Sequence, residues 1–142
     1  MAKTYDPSQV NLYISGILVT GYAEDTFIEI KRNEPLYKAK YGVRGDCTRT
    51  RNPNKSGTIT FHLLQSSTAN EKLSALVAAD EIAGAGTIVF PVMVKDSSGT
   101  SITSSPESWL VGYPDEVYAK ETKDRTWIIE CANLLKFVGG NS

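Results

Sequence analysis

The sequence predicts a mainly β domain, an antiparallel barrel or sandwich of about eight strands with one flanking helix. Three observations predict it. Apolar and polar residues alternate with a period of two in several separate stretches, the mark of half-buried strands. Only the stretch from Thr68 to Ala83 combines helical spacing with a helix-start signal. Turn chemistry such as Asp96-Ser97-Ser98-Gly99 falls where a hairpin between strands requires it.

In Val10–Ile14, Val10, Leu12 and Ile14 point one way while Asn11 and Tyr13 point the other. Gly16 interrupts the pattern, and Ile17 and Val19 resume it on the opposite parity, which predicts a bulge or bend. Phe27–Lys31 reads as the next strand, and Leu36–Tyr41 is weakly strand-like. Thr58–Leu64 is the clearest strand, with Ile59, Phe61 and Leu63 on one face. Thr68-Ala69-Asn70-Glu71 forms a capping box that starts the helix. Leu73, Leu76, Val77 and Ala83 supply its apolar stripe, and Gly84 stops it.

Thr87–Lys95 is nearly continuous apolar and β-branched sequence, expected as a strand buried on both faces, with Pro91 marking an edge or bulge. Strands are expected around Thr100–Thr103, Trp109–Val111, Val117–Lys120 and Arg125–Leu135, followed by a flexible Gly139-Gly140-Asn141-Ser142 end. At 142 residues the chain is expected to be a single domain over 1–142, with an extended basic loop or hairpin at about 42–57.

That loop carries Gly42, Gly45, Pro53 and Gly57 and almost no large apolar side chain. It exceeds the usual connection inside a compact domain, and loops of such length are commonly functional. No run approaches the ~20 apolar residues that span a bilayer, and the N-terminus lacks the apolar core of a secretory signal. The protein is therefore expected to stay in the cytoplasm unless it leaves inside a larger particle.

The residues for catalysis are sparse. One histidine, His62, lies on the polar face of a strand, far in sequence from both cysteines, so neither a zinc site nor a His-based triad has its ligands. No Gly-x-Ser-x-Gly elbow or Walker loop is present, and Gly84-Ala85-Gly86 follows a helix where a phosphate loop would precede one. Glu107, Asp115, Glu116 and Glu121 read as a solvated face. We expect no enzyme, no cofactor, no metal and no small-molecule substrate.

Two cysteines are too few for a disulfide framework. Their plainest reading is two free thiols. The sharper one starts from Cys47, which lies among Arg44, Arg49 and Arg51; an arginine-flanked thiol is more reactive, so a disulfide between subunits is conceivable, with Cys47 and Cys131 its candidates.

Charge is unevenly spread despite a net value of −1. From Lys31 to Lys55 eight basic residues face two acids, a surplus of +6, and the remainder of the chain carries −7. A solvated loop, a nucleic-acid platform using Tyr37 and Tyr41, and a basic arm docking on the acidic body of another copy all fit this split.

A family resemblance bears on that choice. Tyr5-Asp6-Pro7-Ser8-Gln9-Val10, Ser15-Gly16-Ile17, Gly21-Tyr22-Ala23, Gly57-Thr58-Ile59-Thr60, Leu64-Gln65-Ser66-Ser67 and Phe137-Val138-Gly139-Gly140-Asn141 occur in this order. Together they resemble the tail-tube proteins of contractile-tailed bacteriophages, over nearly the whole chain. The resemblance implies a tail-tube-like barrel or sandwich in stacked rings of six, inside a contractile sheath, with tape-measure protein and genome DNA in the channel. It implies a virion component assembled in the host bacterial cytoplasm, without catalytic residues and without specificity for a nucleic-acid sequence. Interface candidates are Arg44, Cys47, Arg49, Arg51 and Lys55, the N-terminal segment Tyr5–Val10 and the C-terminal tail. Rival readings are a small β-barrel that binds single-stranded nucleic acid, and a tube subunit of a bacterial injection apparatus or tailocin.

Overall fold

The computed structural model describes residues 2–83 and 89–141. Among them are ten strands and one α-helix, with a single 3-10 turn at Pro7–Gln9. Strands β1 (Val10–Ile14) and β2 (Ile17–Leu18) form a tight hairpin, with Ile14 opposite Ile17. Its two linking residues, Ser15 and Gly16, have φ of 51° and 81°. Positive φ at both central positions matches the twist of the flanking strands, which is why such turns favour glycine. The bulge or bend expected at Gly16 is therefore a full chain reversal.

Strands β3 (Ile28–Arg32), β6 (Gly57–Leu63), β7 (Phe90–Asp96), β8 (Ile102–Leu110), β9 (Arg125–Cys131) and β10 (Leu135–Phe137) complete the main sheet. Its order is β2-β1-β7-β8-β9-β6-β3, with β10 beside β8 and every pairing antiparallel. The two ends of this path, β2 and β3, are consecutive in the chain. Val19 still donates its N–H to Leu12 on β1, whereas Gly21 already accepts from Leu64 beyond β6. The sheet thus closes on itself through one short covalent crossing. Tyr22 ties the crossing down, its hydroxyl accepting the Leu12 N–H at 3.0 Å and its ring lying 5.2 Å from Phe27.

The interior follows from alternation. Leu12, Ile14, Ile59, Phe61, Leu63, Val92, Val94, Trp127 and Ile129 turn inward and are buried together. Each such side chain contributes about 1.5–3 kcal/mol relative to an exposed one. Helix α1 (Ala69–Ala83) lays Ala69, Leu73 and Val77 on the same cluster. Trp127 donates its indole N–H to Asn70 at 2.9 Å, and Asn70 in turn donates to the Leu64 carbonyl. The helix start differs from a capping box in detail. Glu71 donates its N–H to the Thr68 carbonyl, and the Ser67 hydroxyl accepts from Ala69 while donating to Thr20.

Pro91 sits where the β7–β8 register slips: Val92 lies opposite Ser105 but Phe90 opposite Ser108. Pro106 falls within the same irregularity on β8. Two residues that lack an N–H thus occupy the place where the ladder is already interrupted. The expectation of a bulge at Pro91 holds. Burial on both faces does not, because Phe90, Val92 and Val94 point inward while Pro91 and Lys95 are exposed.

Other expectations also change. Val117–Lys120 forms no strand, and Val117 and Tyr118 are exposed, because no neighbouring strand is there to complete a ladder. The segment 139–141 is pinned: Gly139 exchanges hydrogen bonds with Ser101, and Asn141 donates to Asp96 at 3.0 Å. Cys131 is fully buried in β9, so it is enclosed by the core and offers no thiol to another subunit. Gly84, the Gly84-Ala85-Gly86 run, the start of the strand at Thr87, the side chain of Ala83 and the terminal Ser142 lie outside the described residues.

Two outcomes follow from this packing. A Cβ added at Gly57 would meet the Leu134 side chain and lie 2.9 Å from the Lys31 carbonyl. Gly57→Ala is expected to lower stability by about 1–3 kcal/mol in denaturant titration, since the backbone oxygen cannot move aside. In thiol labelling of the native chain, Cys47 is expected to react promptly and Cys131 only on unfolding; prompt labelling of two thiols would contradict the buried position of β9.

Candidate functional site

The segment between β3 and β6 leaves the barrel altogether. Strands β4 (Tyr37–Tyr41) and β5 (Cys47–Arg51) pair only with each other as a two-stranded sheet, and every residue in both is exposed. The hairpin therefore begins at Tyr37, ahead of the loop expected at about 42–57. A five-residue turn joins the strands, closed by Gly42 N–H to Asp46 at 2.7 Å, with Gly45 at φ 89°.

Pairing fixes which side chains share a face. Tyr37 lies opposite Arg51, Ala39 opposite Arg49, and Tyr41 opposite Cys47. Cross-strand partners stand on the same side, so Tyr37, Tyr41, Cys47, Arg49 and Arg51 form one face. Lys38, Lys40, Thr48 and Thr50 form the other. The Arg49 guanidinium stacks 4.4 Å above the Tyr37 ring, a contact of roughly 0.5–1 kcal/mol at an exposed site. Arg44 and the fully exposed Val43 occupy the tip.

The base of the arm is more firmly built. Asn52 donates its N–H to Leu36 at 2.8 Å, closing the hairpin stem. Glu34 accepts from Asn52 at 2.8 Å and from Asn54 at 3.2 Å. Those bonds, Asn52 first, hold its carboxyl below the ordinary carboxylate pKa, and nearby Lys38 adds to the effect. Lys55 is half-buried, and its carbonyl accepts the Leu134 N–H at 2.8 Å.

Between arm and barrel lies a recess of about 280 Å³, walled by Tyr37, Leu36 and Leu135 and lined by Arg32, Arg51, Lys55 and Lys136. Arg32 donates through Nη2 to the Leu134 carbonyl at 2.9 Å, while its buried Nη1 has no partner among the described residues. No residue lining the recess is acidic. Of the residues expected at an interface, Arg49, Arg51 and Cys47 are therefore brought onto one face, Lys55 onto the same base, and Arg44 to the tip. Cys131 stands at the same end of the sheet, opposite Gly57, but is buried there and does not reach this surface. Arg32 and Lys136 were not expected there; Arg32 carries a signal only as part of the basic run, and Lys136 carries none.

Elsewhere, an open groove of about 370 Å³ runs along β3, where Ile28 and Ile30 face Val10, Val94 and Ile102, with Tyr5 at its rim. On the described residues β3 bonds to β6 alone, so its other edge is unpaired. No group of three or more His, Cys, Asp or Glu that could hold a metal occurs among the described residues. No helix among them is long and apolar enough to cross a membrane.

Comparison with known proteins places this architecture. The family model described as the bacteriophage PhiTE tail tube protein matches residues 13–139. Structural protein ORF10 of Pseudomonas phage KPP10 is 31% identical over 145 residues, covering 98% of this chain and 84% of the relative. Among solved structures, the tube-terminating cap of the anti-feeding prophage aligns with a TM-score of 0.58 at 6% identity, covering 100% of this chain and 94% of that one. The sheath/tube terminator of the PVC extracellular contractile injection system, in its extended state, aligns at 0.57 and 7% identity, covering 96% and 99%. At such identities these two structures establish a shared fold and nothing further. The family model, spanning the barrel and the arm alike, carries the assignment: this chain belongs to the family of the bacteriophage PhiTE tail tube protein.

Proposed function

We propose that the chain is the subunit of a phage tail tube, closing into hexameric rings that stack around a channel conducting DNA during ejection. The observation that carries this reading is the arm. A two-stranded hairpin is at best marginally stable alone in water, and here all ten strand residues of the arm are exposed. Such an element gains its packing from a second molecule, and head-to-tail contacts between identical copies generate closed rings. The unpaired edge of β3 supplies a place where neighbouring sheets can join, which would cover an edge that is otherwise a liability.

The partners of this proposal are other copies of the chain, a surrounding sheath, a tape-measure protein and the genome in the bore. Assembly takes place in the host bacterial cytoplasm, before the virion is released. A channel that passes DNA should not grip it, because a basic lumen would bind phosphates through counterion release. The −7 remainder of the chain accordingly contributes the lumen through part of its acidic surface, and the basic arm lies at the ring-to-ring or sheath-facing side. The role is structural, with no catalytic step assigned to any residue.

Negative-stain microscopy of the purified chain is expected to show long tubes of uniform diameter. Isolated rings would favour a terminating role instead, and salt-sensitive oligonucleotide binding by a persistent monomer would favour the nucleic-acid reading. Because Leu36 and Asn52 are already hydrogen-bonded across the stem, residues 37–51 can be replaced by an Asn-Gly turn. That variant is expected to keep the far-UV spectrum of a folded barrel while losing stacked tubes. A reconstruction with Arg44, Arg49 and Arg51 lining the bore would refute the placement of the arm.

A further inference from the structure

The recess at the base of the arm is lined by four cations and, among the described residues, by no carboxylate. Arg32, Arg51, Lys55 and Lys136 line it, and Arg32 Nη1 is buried without a partner among the described residues. Four like charges lining one recess repel one another, and an arriving carboxylate would offset that repulsion. Glu34 does not serve, since its carboxylate is held by Asn52 and Asn54.

Register shows where the opposite charge lies. Gly57 on β6 is opposite both Arg32 on β3 and Cys131 on β9, so the basic recess stands at that end of the three-stranded ribbon. Leu63 is opposite Arg125, which marks the other end. Six residue steps separate the two ends, about 20 Å. The stretch 112–124, free of strand and helix, enters β9 at that far end. It carries Asp115, Glu116, Glu121 and Asp124 against Lys120 and Lys123. Glu24 and Asp25, just ahead of β3, join the same end. Each protomer is thus basic at one end of the ribbon and acidic at the other.

We infer that the recess is a socket for the acidic 112–124 segment of the next copy, Asp115 and Glu116 foremost, in an end-to-end contact between stacked rings. This rests on the tube reading above and names the partner of its arm. Tyr37, Leu36 and Leu135 give the recess apolar walls, which suits a short peptide with Tyr113, Pro114 and Val117 beside its carboxylates better than a bare phosphate chain. Charges in such a contact set register and exclude wrong orientations more than they add affinity.

Charge exchange tests it. Arg51→Glu with Lys55→Glu is expected to raise the concentration needed for tubes at least about tenfold, and Asp115→Lys with Glu116→Lys to do the same. All four substitutions in one chain are expected to restore tubes, the signature of a coupled pair, and wild-type stacking should weaken as salt rises. Circular dichroism and thermal midpoints of the variants report whether each still folds. Wild-type tubes with charge variants that assemble normally would overturn the socket and leave the tube reading standing. A fourfold variant that folds but fails to assemble would also overturn it. So would a monomer that binds a short DNA oligonucleotide through Arg51 and Lys55 while stacking unaltered in their absence. A wild-type chain that forms no stacked rings would overturn both.

Discussion

The burial of Trp127 is the contact on which the rest of the barrel depends. It lies on β9 in mid-sheet, between the β8 side and the β6–β3 side, and meets Phe61 directly across the strand pair. Its indole N–H is the one polar atom that so large an apolar side chain carries inward, and Asn70 accepts from it. Because Asn70 opens α1 and also holds the Leu64 carbonyl, that single bond fixes helix and sheet relative to each other. The covalent crossing from Val19 to Gly21 then has a rigid frame to close.

This rigidity is spent unevenly. The barrel buries its own core and leaves one edge of β3 open, whereas the arm is held at its stem by Asn52, Glu34 and Leu36 and by little beyond it. A body with its own core and a limb without one make up one chain. The division matches a subunit whose packing is finished by its neighbours, and the family to which it belongs is one of tube proteins.

Much of this was legible in the residues. The alternation in β1 and β6 reads correctly because each of these strands buries a single face, so polarity reports direction without ambiguity. Pro91 announced the bulge because a missing N–H has few acceptable places in a sheet. Val117–Lys120 misled because alternation describes a side-chain pattern and says nothing of whether a partner strand exists. Gly16 misled because Ser15, with its own positive φ, carries no warning in its identity. The arm was visible as charge, and its first strand only weakly, since Tyr37–Tyr41 alternates two lysines with Tyr and Ala residues that neither face needs to bury. The recess was beyond reach, as Arg32 and Lys136 stand far apart in sequence and meet only through folding.

The exposed hairpin also bears on kinetics. Ordering a peptide segment costs conformational entropy at the moment of contact, so a first encounter between two subunits gains little and readily reverses. Once several neighbours each order an arm at a common seam, their gains accumulate while translational freedom has already been lost. Growth from an existing end is then favoured over a fresh start, which is the behaviour of nucleated polymerisation. On the tube reading proposed above, a chain built this way assembles slowly until a first ring exists and elongates readily from that end thereafter.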